Sequence, residues 1–193
     1  MDWNAEQYHR VSEPQFEWGL QVLARVAERP LRGDETVLDA GCGTGRLTLQ
    51  LAALFPRGRI IASDVSAPML RTFATTLSNG NGSGHSDRRP GSPADRLSLV
   101  RADFQRLPFV SAFDIIFSTA AFHWAADHDA VFNGIFHALK HKGRLVAQCG
   151  GGANLASIRE REQLLMRDAR FAPFFRVLDQ IDHARCALIF RRT

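Results

Sequence analysis

Residues 37–45, Val-Leu-Asp-Ala-Gly-Cys-Gly-Thr-Gly, constrain the fold more tightly than any other stretch of this chain. An apolar, strand-like run delivers Asp39 into a turn with glycine at alternate positions, Gly41, Gly43 and Gly45. Leu47, Leu51, Leu54 and Phe55 follow at helical spacing. A strand that passes into a helix through such glycines lets the backbone approach a ligand to a distance that a Cβ would block. In an open parallel sheet this turn lies at the carboxyl end of the first strand, where nucleotide-like ligands bind.

The pattern around that turn repeats. Ser12-Glu13-Pro14-Gln15 has the cap, first-turn proline and returning glutamine of a helix start. Phe16, Leu20, Leu23 and Ala27 then form an apolar face that ends before Pro30. A strand is expected over 36–40, a helix over 44–54, and a second buried strand over 59–63 running into Asp64. Ser66 caps a third helix, with Pro68 in its first turn. Strands at 97–101, 113–118 and 144–148 follow, with a helix at 129–139 before the last and a turn at 141–143. Strands alternating with helices imply an α/β, doubly wound, mostly parallel Rossmann-like sheet with helices on both faces.

At 193 residues the chain reads as one domain. Residues 1–30 form an N-terminal cap and helix, 31–152 the ligand-binding core, and 153–193 a short C-terminal part. Within the core, residues 78–95 are rich in Gly, Ser and Asn with almost no apolar content, and read as a flexible surface insertion. No apolar run approaches the roughly 20 residues of a membrane span. The polar segment 1–10 does not read as a signal peptide. Cys42, Cys149 and Cys186 are far apart, without metal-like spacing, as free thiols in a reducing cytoplasm would be. The net charge of +4 comes from basic residues dispersed among acids, as in Arg159-Glu160-Arg161-Glu162. No basic stripe interleaved with aromatics marks a nucleic-acid surface.

Three acids fall at the carboxyl ends of successive strands: Asp39, Asp64 and Asp103. A carboxylate about 20 residues beyond the glycines can accept both hydroxyls of a ribose, and Asp64 stands there. Asp103, after the third strand, is placed to accept from an adenine amino group. A dinucleotide fingerprint would be G-x-G-x-x-G. Here the position of its third glycine holds Arg46, which disfavours a nicotinamide dinucleotide.

With these residues in this order the chain resembles the class I S-adenosylmethionine-dependent methyltransferases. Residues 37–45 match their first motif. Asp64, Val65, Ser66 and Met69 are similar to the second, Ala102-Asp103-Phe104 to the third, Phe113-Asp114-Ile115-Ile116-Phe117-Ser118 to the fourth, and residues 139–146 to the fifth. The resemblance covers residues 3–152 and implies S-adenosylmethionine as cofactor, with no metal. It implies cofactor contacts at Tyr8, Asp39, Gly41, Cys42, Gly43, Gly45, Asp64, Val65, Met69, Asp103, Phe104 and Ser118. Tyr8 would close the site from an N-terminal segment folded over the cofactor. Gly41 and Ser118 would flank the methionine end, and the Phe104 backbone would lie near adenine.

A narrower resemblance lies in Ser118-Thr119-Ala120-Ala121-Phe122-His123-Trp124. It is similar to the segment after the fourth strand in trans-aconitate methyltransferases and, less closely, in malonyl carrier-protein methyltransferases. It implies O-methylation of a small carboxylate, with His123 and Trp124 on the acceptor side. A carboxylate is ionised at pH 7 and needs no general base. His123 would then orient the acceptor, or take a proton from a hydroxyl, and Trp124 would supply a wall and one N–H donor. Asp127-His128-Asp129 reads as a helix cap rather than a metal site, and Cys42 has no base partner that would make it a nucleophile.

After residue 152 the family continues through a helix and an antiparallel strand pair. About 40 residues follow here, with a helix expected over 157–169, a turn at 171–175 and one strand at 185–190. The strand pair is therefore expected to be abbreviated or missing, which would leave the fifth strand as a poorly covered edge. A non-catalytic cofactor-binding protein is the alternative function that this shortening suggests. A dehydrogenase and an RNA methyltransferase are weaker readings of the same fold.

Overall fold

The computed structural model describes residues 13–79, 93–150 and 189–191. The chain order is α1 (Glu13–Ala27), β1 (Thr36–Ala40), α2 (Arg46–Ala53), β2 (Arg59–Asp64) and α3 (Ala67–Asn79). There follow β3 (Leu97–Arg101), β4 (Phe113–Thr119), α4 (His128–Ala138), β5 (Leu139–Gln148) and β6 (Ile189–Arg191). The sheet order is β3-β2-β1-β4-β5-β6, and the pairs from β3 to β5 are all parallel. Order 3-2-1-4-5 is the doubly wound arrangement expected, and its direction reverses between β1 and β4, where a crevice opens beyond the carboxyl ends.

Side-chain alternation along the strands explains the layers. Val37, Ile60, Ile115, Phe117 and Val146 pack with Val22, Leu23 and Val26 of α1 and with Leu51, Ala52 and Phe55 beside them. On the opposite face Leu38, Ala40, Ile116 and Leu145 pack with Val131, Ile135 and Ala138 of α4 and with Phe122. Every strand of the centre is thus covered twice, which is why residues 113–118 read as an almost unbroken apolar run.

Two polar anchors hold the amino-terminal end of the sheet. The buried Glu35 carboxylate accepts from the backbone N–H groups of Arg32 and Gly33, at 2.7 and 2.8 Å, and so fixes the turn before β1. Asp114, near the start of β4, accepts from the Thr36 N–H at 2.9 Å, from Lys140 Nζ at 2.7 Å and from Arg32 Nη2 at 3.2 Å. Burial alone pushes the Asp114 carboxyl up, but Lys140, the Thr36 N–H and Arg32 outweigh it and hold the group below its ordinary range. Arg144 on β5 donates to the Val26 carbonyl at 2.6 Å, satisfying an orphan acceptor at the end of α1.

The boundaries differ from the sequence reading by a residue or two. The second helix begins at Arg46 rather than Thr44, because Gly45 takes a left-handed φ of 81° and serves as its cap. The β5 strand begins at Leu139, immediately after α4, and its register against β4 shifts between Phe113 and Ile115. Lys142 has a φ of 62° in that shifted stretch, where the sequence suggested only a turn.

The β5 edge is also better covered than expected. Among the described residues, β6 pairs antiparallel with it in the register Arg144↔Arg191, Leu145↔Phe190 and Val146↔Ile189. Ile189 and Phe190 of the strand expected at 185–190 are therefore in β6, which includes Arg191, and residues 185–188 lie outside the described residues. The helix expected over 157–169, the turn at 171–175 and most of the 78–95 insertion lie outside the described residues.

Candidate active site

At the carboxyl end of β1 the chain turns through Gly41, Gly43 and Gly45, all at positive φ: 81°, 55° and 81°. The glycines have different reasons for being there. A Cβ on Gly41 would stand 2.4 Å from the Ala121 Cβ, and one on Gly45 would stand 2.2 Å from the buried Phe73 ring. A Cβ on Gly43 would meet nothing within 4 Å. Gly41 and Gly45 let the turn pack against the loop after β4 and against α3. Gly43 alone presents bare backbone to open space, the cradle that close approach of a ligand requires. The turn is tied to β2 because the Gly41 and Cys42 N–H groups both donate to the Ser63 carbonyl, at 2.8 and 3.0 Å.

Asp64, at the end of β2, holds this turn from the side. Its Oδ2 accepts from the Gly43 N–H at 2.9 Å and its Oδ1 from the Ser66 N–H at 2.8 Å. Each oxygen keeps lone-pair capacity for a further donor, so the carboxylate is oriented without being saturated. Ser66 Oγ accepts from the Met69 N–H at 3.4 Å, as the expected cap of α3, and Met69 is buried beneath it. Val65 is 57% exposed, an apolar surface beside the acid. Arg101 at the end of β3 donates to the Val65 carbonyl at 3.0 Å and holds that residue in place.

Asp39 is placed differently. It is buried, and its Oδ2 accepts from Thr48 Oγ1 at 2.6 Å. Burial raises its carboxyl to about 7; the Thr48 hydroxyl pulls it down, and the nearby Asp64 charge adds to the rise. Asp39 thus props the glycine turn from below through the first turn of α2. Cys42 is half-buried, with burial first and then the Asp39 and Asp64 charges pushing its thiol up, away from the thiolate a nucleophile needs. Arg46, at the position where a dinucleotide fold has its third glycine, lies with its guanidinium carbon 4.1 Å from the centre of the Phe16 ring.

The third strand leads into a short turn of helix, Phe104–Arg106, capped by Asp103, whose Oδ1 accepts from the Gln105 N–H at 2.8 Å. The Phe104 ring packs edge-on against Phe122 at 5.4 Å, and Phe122 packs in the same manner against Phe132 of α4 at 6.5 Å. This aromatic chain joins the ends of β3 and β4. Ser118, fully buried, donates to the Ala40 carbonyl at 2.7 Å and ties β4 to β1 where β1 enters the turn.

Beyond β4, Ala120 is held at a φ of 50° and its N–H donates to the Gln148 carbonyl at 2.8 Å. This left-handed residue, rare for alanine, swings the chain so that Ala121 closes on Gly41 and Phe122–Trp124 forms a turn of helix. His123 Nδ1 accepts from the Gly150 N–H at 3.4 Å, which leaves the proton of a neutral ring on Nε2. Its ring centre lies 5.0 Å from that of Trp124, whose side is half exposed. Asp127 caps α4, its Oδ1 accepting from the Ala130 N–H at 2.9 Å, as the sequence suggested.

The crevice is therefore built from the ends of β1, β2, β3 and β4, in the arrangement the motifs imply. Residues 37–143 match a family model described as a methyltransferase domain, more than half the chain. The chain belongs to the class I S-adenosylmethionine-dependent methyltransferases. Among curated relatives, a trans-aconitate 2-methyltransferase of Deinococcus radiodurans is 31% identical over 160 residues, 82% of this chain and 54% of that protein. A malonyl-[acyl-carrier protein] O-methyltransferase of Legionella pneumophila is 28% identical over 144 residues, covering 74% of this chain and 45% of its own. This methyltransferase-family chain thus spans about half the length of these curated relatives. Among solved structures, an S-adenosyl-L-methionine-dependent methyltransferase described as putative, from Methanococcus maripaludis, superposes with a TM-score of 0.59 at 22% identity. That match covers 89% of this chain and 73% of the other; it supports the fold alone.

Of the residues named from sequence, Gly41, Gly43, Gly45, Asp64, Val65, Asp103 and Phe104 fall at the carboxyl ends of β1, β2 and β3, and Met69 in the first turn of α3. Asp39 and Ser118 are buried and Cys42 half-buried beside these strand ends, and His123 and Trp124 lie in the turn after β4. Tyr8 lies outside the described residues. Sequence reasoning missed Thr48, Ala121 and Gln105. Thr48 had a legible signal, a hydroxyl on the first turn of the helix that follows a buried acid. The other two act through contacts between segments distant in sequence. No helix among the described residues is long and apolar enough to cross a membrane.

Proposed function

We propose that this chain binds S-adenosylmethionine in the crevice at the ends of β1, β2 and β3 and directs methyl transfer to the carboxylate of a small molecule. The observation that carries the reading is the pairing of Gly43 with Asp64. One offers backbone with open space beside it, and the other, 2.9 Å from that N–H, offers an oriented carboxylate. A ribose diol donates two hydroxyl protons, which suits the unsaturated oxygens of Asp64. The exposed Val65 side chain suits the face of an adenine, and Asp103 Oδ2 suits its exocyclic amine. S-adenosylmethionine supplies a methyl group already activated on a sulfonium, so this chain's task is alignment and exclusion of water.

On the acceptor side, His123 Nδ1 accepts from the Gly150 N–H, so a neutral ring carries its proton on Nε2, the tautomer that suits a carboxylate acceptor. Ionised acceptors of this kind need no proton removed. The carboxylate class is supported by the names of the two curated relatives, which act on trans-aconitate and on a malonyl carrier protein. Calorimetry with S-adenosylhomocysteine tests the binding half. The wild-type chain is expected to bind and Asp64→Ala to bind at least about tenfold more weakly, the loss of charge-assisted hydrogen bonds. No binding by the wild type, or equal binding by the variant, removes this reading of Asp64. Labelled cofactor with a panel of small acids tests the transfer, and binding without labelling of any acid removes the acceptor class.

A further inference from the structure

Gln105 was passed over in the sequence, yet its side chain is used on both ends. The amide oxygen accepts from the backbone N–H groups of Ala126 and Asp127, at 3.1 and 2.9 Å. Because a backbone N–H can only donate, this fixes the oxygen on that side and turns the amide nitrogen the other way. There Nε2 lies 3.4 Å from both Oδ1 and Oδ2 of Asp103, while the Gln105 N–H holds Oδ1 at 2.8 Å. The carboxylate is therefore pinned through Oδ1, and Oδ2 keeps only the long amide contact among the described residues.

The two ends of this bridge belong to different parts of the crevice. Asp103 follows β3. Ala126 and Asp127 lie two and three residues beyond Trp124, and Asp127 caps α4. The Phe104–Arg106 turn also packs on α4, so the bridge runs along a contact already closed by apolar side chains. A shift of the Asp103 carboxylate on meeting a donor would be passed through one planar amide to the turn that positions His123 and Trp124.

We propose that Gln105 is a positioning residue that couples Asp103, on the cofactor side, to the turn carrying His123 and Trp124, on the acceptor side. The inference rests on the cofactor reading given above. Gln105→Glu keeps an oxygen for the Ala126 and Asp127 N–H groups but sets a second carboxylate against Asp103. It is expected to weaken S-adenosylhomocysteine binding about tenfold while the melting temperature moves by no more than about 2 °C. Gln105→Leu removes the bridge. In a Trp3→Phe, Trp18→Phe background, where Trp124 is the remaining tryptophan, saturating S-adenosylhomocysteine is expected to shift the Trp124 emission. Adding Gln105→Leu should abolish that shift even though the ligand still saturates.

A bridge that is only structural would lower the melting temperature in Gln105→Leu and leave the Gln105→Glu affinity within about twofold of the wild type. That result overturns the proposal, as does an emission shift unchanged by Gln105→Leu or absent from the parent. If Gln105→Leu does not fold, the Gln105→Glu affinity decides alone. Failure of the wild-type chain to bind S-adenosylhomocysteine overturns the cofactor reading and this proposal together. Binding by the wild type with no loss in Gln105→Glu overturns only the role of Gln105.

Discussion

Alanine at each glycine of the turn should separate packing from ligand contact. At Gly43 the backbone φ of 55° is close to the left-handed well, and a Cβ there would have no neighbour within 4 Å. The cost of Gly43→Ala is then the left-handed preference alone, about 1 kcal/mol. At Gly45 the same kind of term is joined by a Cβ placed 2.2–2.3 Å from three atoms of the Phe73 ring. That ring is fully buried and has nowhere to go. Overpacking of this kind costs about 1–3 kcal/mol, so Gly45→Ala should lose about 2–4 kcal/mol in total. Gly41→Ala, facing the Ala121 Cβ at 2.4 Å, belongs with it. For a chain of this size the melting temperature should fall by about 2–4 °C in Gly43→Ala and by about 4–16 °C in Gly45→Ala. Thermal unfolding reads the first contrast and calorimetry with S-adenosylhomocysteine the second. Gly43→Ala should lose at least about tenfold in affinity despite its mild stability cost, because its Cβ enters the space left for the ligand. Equal melting temperatures for the two variants, or wild-type affinity in Gly43→Ala, would refute the division of roles.

Two predictions concern pH. The Asp39 carboxyl is raised in the fold to about 7 from 3.8, so the folded chain binds the proton more tightly than the unfolded chain between these values. Stability contributed by this group therefore falls as pH rises through that window and levels off above it. Asp39→Asn keeps an acceptor for Thr48 and removes the charge, and its stability relative to wild type should be greater at pH 8 than at pH 4 in urea unfolding. No difference between the two pH values would show that Asp39 ionises in the fold at little cost, and the opposite trend that the fold favours its ionised form. Asp114 has the reverse sign. Its carboxyl lies below 3.8 in the fold, so its contribution is present above that value and is lost as pH falls through the folded one. Asp114→Ala should cost about 1–2 kcal/mol near pH 7, a figure moderated by its partial exposure, and less near pH 3. The same unfolding assay checks it, and a cost that does not depend on pH would remove the ion pair as its cause.

Much of this molecule was legible because it depends on local chemistry. Val37 and Leu38 alternate between two apolar faces, glycines fall at every second position after them, and acids end successive strands. Such patterns survive without knowledge of what packs on them, and they give the strand order's class, the family and the place of the crevice. The Ser66 and Asp127 caps are equally local, each a side chain meeting a backbone N–H three residues on.

What only the tertiary structure decided are the roles of residues that look alike in sequence. Gly41, Gly43 and Gly45 are one motif on paper, but Ala121 and Phe73, from other segments, crowd Gly41 and Gly45 and leave open space at Gly43. Asp39 and Asp64 both end apolar strands; burial against Thr48 makes one a support, while the Gly43 and Ser66 N–H groups aim the other into the crevice. Gln105 carried no periodicity at all. Its importance comes from a turn 21 residues away brought within hydrogen-bond reach. Sequence periodicity records which face of an element is buried, and through it the fold. It does not record what stands opposite, and in the crevice that neighbour decides whether a glycine or a carboxylate meets protein or ligand.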